Sequence, residues 1–187
     1  VDGANSVRDY CILTLFLNCG LRISELVGLN VTDVRGDQLR VLGKGNKERI
    51  VYLNEQCVDA VTKYTEARKS VADPKEKALF ISKRGNRITN RRVEQIIDDR
   101  LKACGLAGKG ISVHKLRHTA ATLMYQNGVD VRVLKEVLGH ENLNTTQIYT
   151  HVVNTQLRDA INSNPVMDIK NDLPEPDLKQ NEDKNSK

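Results

Sequence analysis

No long apolar run occurs in this sequence. The longest, Tyr10–Leu17, covers eight residues, whereas a helix that spans a bilayer needs about 20. The first residues, VDGANSVRDY, lack the basic stretch followed by an apolar one that marks a secretory signal. Both features point to the cytoplasm, or a nucleoid within it. Cysteine is scarce and unpaired in pattern: Cys11, Cys19, Cys57 and Cys104 are scattered, with no C-x-x-C spacing. They read as reduced thiols, with no disulfide framework. There is no internal repeat. What remains is a chain of 187 residues, 39% hydrophobic, with a mean hydropathy of −0.47. One domain of that size buries a core without crosslinks.

Charge is distributed unevenly. The net value is +5, but residues 166–187 carry six acids against four lysines, for −2, so residues 1–165 carry +7. A basic globular body fits a polyanionic partner, nucleic acid foremost; a merely soluble basic protein fits the charge equally well.

The pattern is α+β and mainly helical, with one small sheet, either a β-hairpin or three-stranded. Ser6–Asn18 reads as a helix ended by Cys19-Gly20, and Ser24–Leu29 as a short second helix with Ser24 as its cap. Gln38–Leu42 and Arg49–Leu53 flank a Gly/Asn-rich turn and read as a hairpin. Further helices are expected over about Gln56–Ala72 and Thr89–Cys104, with a short strand at Leu79–Ser82 between them. Val113–Gln126 is the most informative helix. Leu116, Ala120, Leu123 and Met124 form its expected core face; His114, Arg117, His118 and Ala121 share another. Asp130 caps a helix that runs to Leu138 and ends at Gly139. Asn144 caps a short helix carrying Ile148 and Tyr149, and Val153, Leu157, Ala160 and Ile161 give the last helix an apolar face. After Pro165 the composition turns to Asp, Glu, Lys, Asn and Pro, which cannot bury enough apolar area to offset its ordering entropy. Residues 1–165 are therefore expected to fold and 166–187 to form a flexible tail.

Several residues have chemical potential that is weak one by one. Arg22 lies in a joint between two helices with Glu25 one turn on; alone it reads more simply as a surface ion pair. Lys44 sits at the hairpin tip between two glycines, with Lys47 and Arg49 making the tip basic, which suits contact with a DNA backbone; alone it is a solvated turn lysine. His114 and His118 beside Arg117 make a face that resists double protonation unless an anion is near. The same two histidines have ligand spacing, but no Glu lies between them as a zincin motif demands, and Arg117 repels a cation. No metal and no cofactor is expected. His140 follows Gly139, and Tyr149 comes nine residues later.

As a set, these residues resemble the catalytic domain of the tyrosine recombinases, the family of Xer-type recombinases and phage or transposon integrases. The resemblance covers about residues 5–163. It rests on Gly20-Leu21-Arg22-Ile23-Ser24-Glu25-Leu26, Gly43-Lys44-Gly45-Asn46-Lys47-Glu48-Arg49, His114-x-Leu116-Arg117-His118-Thr119, Leu138-Gly139-His140 and Tyr149-Thr150-His151-Val152, in the family's order. It implies a catalytic hexad of Arg22, Lys44, His114, Arg117, His140 and Tyr149, supported by Glu25 and His118. Tyr149 would attack a phosphodiester and hold the 3′ phosphate. Free tyrosine has a pKa of about 10, so it needs the arginines' positive field, with His114 as base. Arg22 and Arg117 would clamp the charge that builds on the non-bridging oxygens, His140 would add a hydrogen bond, and Lys44 would protonate the leaving 5′ oxygen. The ester conserves the bond energy, so rejoining needs neither ATP nor metal.

The resemblance also implies double-stranded DNA as partner, a tetrameric synapse on it, and a C-terminal helix near 153–163 exchanged between subunits. The N-terminal DNA-clamping domain usual in the family is not recognisable ahead of residue 5. Two other functions fit part of the same pattern. A type IB topoisomerase shares the Arg, Lys, Arg, His and Tyr logic, and Asp130–Leu138 behind Val113–Gln126 would pass for the helix-turn-helix of a non-catalytic DNA-binding module.

Overall fold

The structure, a computed structural model, describes residues 2–139. Helix α1 (Asp2–Cys19) begins one turn earlier than the pattern suggests, because the apolar stripe that marks it starts only at Val7. Cys11, Ile12, Leu15, Phe16 and Cys19 are fully buried along one side, the spacing of a single helical face. That face packs on α3 (Glu55–Lys69), whose Cys57, Ala60, Val61 and Tyr64 answer it, and on α5 (Val113–Gln126). Stacked rings of Tyr64 and Phe80, with centroids 5.2 Å apart, fill the space beside them. Helix α2 (Ile23–Gly28) follows α1 after a sharp joint and packs on α4 (Asn90–Ala103), which buries Val93, Ile96 and Ile97.

The cap of α2 corrects the sequence reading. Arg22, not Ser24, is the N-cap residue, and the Glu25 carboxylate accepts from its backbone N–H at 2.8 Å. The caps of the later helices agree with their sequences. Asn54, Thr89, Ser112 and Asp130 each accept from the first turn of the helix they open, which satisfies donors that no intrahelical carbonyl reaches.

The sheet is antiparallel with order β1-β2-β3, formed by β1 (Val34–Arg35), β2 (Gln38–Leu42) and β3 (Glu48–Tyr52). Leu39 pairs with Val51 and Val41 with Arg49, so these four share the face turned to the core. Leu42, Ile50 and Tyr52 lie exposed on the other face. A single 3-10 turn, Lys44–Asn46, closes the hairpin. The third strand is the two-residue β1, not Leu79–Ser82. That segment makes only isolated bridges, Ala78 to Asn30 and Ile81 to Arg87. Its Leu79, Phe80 and Ile81 are buried in succession, so it is a wedge in the core rather than an alternating strand.

Helix α5 has the expected bounds and part of the expected inner face: Ala120 is buried and Leu116 packs against the core, but Leu123 is exposed, and Arg117 and Ala121 are buried instead. The small alanines let α5 approach α1 closely, and Arg117 enters the interior beside them. Helix α6 (Val131–Leu138) buries Leu134 and Leu138 and ends at Gly139 with φ +63°. Gly20 has φ +59°, and a Cβ there would stand 2.7 Å from Leu138 Cδ2, so glycine is what allows the end of α1 to meet the end of α6. Among the described residues no helix is long and apolar enough to cross a membrane.

Candidate active site

Three chain segments distant in sequence meet at the C-terminal end of α6. Arg22 comes from the α1–α2 joint, Arg49 from β3 and Arg117 from α5. Around them are the last carbonyls of α6, which no intrahelical donor reaches and which carry the negative end of the helix dipole. Arg49 Nε donates to Val137 O at 3.0 Å. Arg117 Nη2 donates to Leu138 O at 2.6 Å, and Arg22 Nη1 reaches the same oxygen at 3.4 Å. Arg22 Nη2 donates to Gly139 O at 2.9 Å. Arg117 Nη1 also donates to Gly20 O, which ties the α1–α2 joint into the cluster.

One carboxylate sits among the three guanidinium groups. Glu25 accepts from Arg22 Nη1 at 2.8 Å and, in a bidentate pair, from Arg49 Nη1 at 2.8 Å and Nη2 at 2.9 Å. Arg117 Nη1 stands 4.0 Å from its second oxygen. Burial by itself would raise the Glu25 carboxyl. Hydrogen bonds from Arg49, from the Arg22 backbone and from the Arg22 side chain outweigh burial and hold it below the ordinary carboxylate value. The cluster therefore carries two positive charges in excess. Exposure divides its members: the Arg117 side chain is 6% exposed and that of Arg49 14%, while Arg22 keeps 34%. Arg22 is the member of the trio most open to a ligand.

The two histidines of α5 form a pair of their own. His114 Nε2 and His118 Nε2 lie 3.0 Å apart with the rings edge to face, so one nitrogen donates and the other accepts. Burial, then His114, then Arg117 lower the pKa of His118. Its neutral form is thereby favoured. His114 is exposed at the first turn of α5, whereas Arg117 is turned inward, so the shared face expected for them is divided between solvent and core.

Set against the sequence reading, Arg22, Glu25 and Arg117 come together as one cluster. The backbone of Lys44 lies in the hairpin turn, and exposed Lys47 ends that turn. Arg49, read as a backbone-contacting residue, lies instead against Glu25 and α6. Its signal was present in the alternation of β3: Arg49 is in register with Val51 and Val41, on the inner face. His140, Tyr149, His151, the helix near 153–163 and the tail lie outside the described residues. Among those that are described, no three His, Cys, Asp or Glu side chains group as a metal site. Cys19 and Cys57 hold their sulfurs 3.9 Å apart as free thiols.

The model of the phage integrase family matches residues 2–156. Tyrosine recombinase XerC of Caldanaerobacter subterraneus subsp. tengcongensis is 54% identical over 167 residues, which is 89% of this chain and 47% of that protein. Tyrosine recombinase XerC of Corynebacterium glutamicum is 44% identical over 159 residues, 83% of this chain and 50% of that protein. The chain thus spans about half the length of the curated relatives it matches. Among solved structures, the XerA recombinase superposes with a TM-score of 0.72 at 34% identity, over 90% of this chain and 61% of that one. The XerH site-specific recombinase, in a post-cleavage complex with its palindromic difH substrate, gives 0.73 at 26% identity, over 86% of this chain and 47% of that one.

Proposed function

We propose, from the premise that this chain belongs to the phage integrase family, that it is the catalytic part of a site-specific DNA recombinase. It cuts and rejoins DNA strands through a covalent 3′-phosphotyrosine at Tyr149. The observation that carries this reading is the convergence of Arg22 and Arg117 on one carbonyl, Leu138 O, two residues ahead of His140. A site built for acyl or metal chemistry has no need of that convergence. A phosphodiester does, because it is an anion that gains a second negative charge as a fifth oxygen bonds to phosphorus. Two guanidinium groups brought together at one place supply charged donors for it. The cluster's excess of two positive charges matches the charge of that transition state.

In this reading Arg22 turns from the α6 carbonyls to the scissile phosphate and, with Arg117, clamps its non-bridging oxygens. His140 donates to a non-bridging oxygen. His114, hydrogen-bonded to His118, takes the proton of Tyr149, and Lys44 on the hairpin protonates the 5′ oxygen as it leaves. Lys47 touches the DNA backbone nearby. Double-stranded DNA is the substrate, and XerH, a structural relative, is seen on its own DNA site. We place residues 1–165 in the catalytic domain and 166–187 in a tail. A tetrameric synapse with the helix near 153–163 exchanged between subunits, and residence on the nucleoid, complete the proposal.

A duplex nicked just 3′ of the cut, which loses the short fragment bearing the new 5′ hydroxyl on cleavage, tests it. The protein is expected to become covalently joined to such DNA, and Tyr149→Phe to abolish the adduct. A well-folded full-length protein that binds its site and forms no adduct would count decisively against catalysis.

A further inference from the structure

We infer that Arg49 is a positioning residue for strand cleavage, which neutralises and fixes Glu25 so that Arg22 is free to leave for the scissile phosphate. The inference rests on the recombinase reading and adds a residue to it.

The reason lies in the charges around one buried carboxylate. The Glu25 side chain is 2% exposed. An ionised carboxylate at that depth is tolerated only while it is paired, and breaking such a pair is costly. Two arginine side chains hydrogen-bond to it, Arg22 and Arg49. Arg22 is also the group that must reach the phosphate. Without a second arginine, Glu25 would hold Arg22 back with a buried ion pair, and each encounter with DNA would have to break it. Arg49 removes that conflict. Its two Nη atoms take both carboxylate oxygens in the bidentate geometry that suits a guanidinium, while its Nε fastens the group to Val137 O. Glu25 then keeps its partner and its place whether Arg22 faces inward or faces DNA.

The same contacts place Arg49 where three working parts meet. It stands on β3, the strand that leaves the Lys44 turn. It holds the residue that caps α2 through Arg22. It also lies under Gly139, the residue before His140: a Cβ built on Gly139 would stand 3.1 Å from Arg49 Nη1. An arginine merely lending charge to a DNA-binding surface would have its donors turned outward, and those of Arg49 are turned in.

The test uses the full-length protein and single-turnover cleavage of a nicked site, with DNA affinity and its salt dependence measured beside it. Arg49→Met should lower the cleavage rate about 100-fold, the scale of a misplaced catalytic group, with affinity and salt slope unchanged. Glu25→Gln alone should also slow cleavage, since it leaves three arginines unopposed. The double variant Arg49→Met/Glu25→Gln restores the original excess of two charges and should cleave about tenfold faster than Arg49→Met alone, a coupling typical of residues in contact. Arg49→Lys, which keeps charge without the fork, should fall between wild type and Arg49→Met, and it carries the test if the methionine variant does not fold. Losses that simply multiply in the double variant would overturn the inference. So would a weaker affinity for Arg49→Met with a salt slope reduced by about one, the mark of a direct phosphate contact. A parent protein that cleaves while Arg49→Met and Arg49→Lys both cleave normally overturns the inference alone. A parent that forms no adduct on its own site overturns the recombinase reading and the inference together.

Discussion

Two clusters in this protein look alike in composition and differ in what they can do. In one, Asp9 on α1 is held by Arg8 at 2.7 Å and by Arg100 of α4 at 3.0 Å. In the other, Glu25 is held by Arg22 and Arg49, with Arg117 beside it. Each sets arginines around one carboxylate under the surface. In the first, Arg8 is 2% exposed, and its donors are taken up by Asp9 and by Ile81 O. That arginine has nowhere to go: it joins the first helix to the core wedge at residue 81. In the second, Arg22 is a third exposed and spends two of its bonds on carbonyls at a helix end, where an anion can replace them. Exposure alone does not separate the clusters, since Arg100 is 46% exposed; what sets Arg22 apart is that its donors rest on the carbonyls at the end of α6 beside Arg117, while Arg49 keeps its carboxylate occupied.

Breaking the comparison at its strongest point means removing one arginine from each cluster. Arg22→Ala should reduce single-turnover cleavage about 100- to 1,000-fold, the loss expected for a donor aimed at developing charge, with little change in melting temperature. Arg8→Met should do the reverse. It should cost about 3 kcal/mol of stability in denaturant unfolding, as the loss of a buried partner does, and leave cleavage by the folded protein within about twofold. An Arg8 variant that folds normally but fails to cleave would erase the distinction.

A subtler change should disturb the second cluster without touching its charges. Gly139→Ala forces a side chain onto a φ of +63° and sets its Cβ against Arg49. The strain should cost about 1 kcal/mol and slow cleavage about tenfold, readable from denaturation and single-turnover rates. The equivalent substitution at Gly3, which has open space around it, should do neither.

The smallest effect is on pH dependence. The folded-state pKa of Glu25 is depressed, so its contribution to stability is present above the unfolded value of about 4.3 and is lost as pH falls through the lower folded value. Unfolding followed from pH 6 to pH 2 should show a shallower fall for Glu25→Gln than for wild type across that window. Parallel curves would place the carboxylate's pairing elsewhere than in these arginines.

Much of this architecture was legible in the sequence. Helices α5 and α6 and strand β2 have the bounds that their caps, glycines and alternation indicate, and Asp130 and Gly139 punctuate α6 as expected. Strand β1 escaped because two residues give no period to read. Leu79–Ser82 was misread because a short apolar run looks the same in a strand and in a core wedge. The meeting of Arg22 and Arg117 could be reached only through motif resemblance, since nothing local joins the α1–α2 joint to α5. For Arg49 two signals compete: a basic hairpin tip suggests outward contact, and the alternation of β3 turns the residue inward with Val51, where the structure places its side chain. On the inner face of α5, Ala120 and Leu116 stand as expected and Leu123 does not; leucines outrank an arginine in any hydrophobic pattern, whereas Arg117 is buried by its bonds to Gly20 O and Leu138 O.

The central claim is that the arginines around Glu25 form the seat of the scissile phosphate. It is tested most directly by cleavage of a duplex whose phosphate at the mapped cut position is replaced with an uncharged methylphosphonate. If Arg22 serves to balance the charge on that phosphate, removing the charge makes Arg22 dispensable. The ratio of wild-type to Arg22→Ala rates should then fall from about 100 or more on ordinary DNA to near one on the methylphosphonate. A ratio that stays as large on the uncharged linkage would contradict the account, because the deficit of the variant would then have nothing to do with the charge of the phosphate.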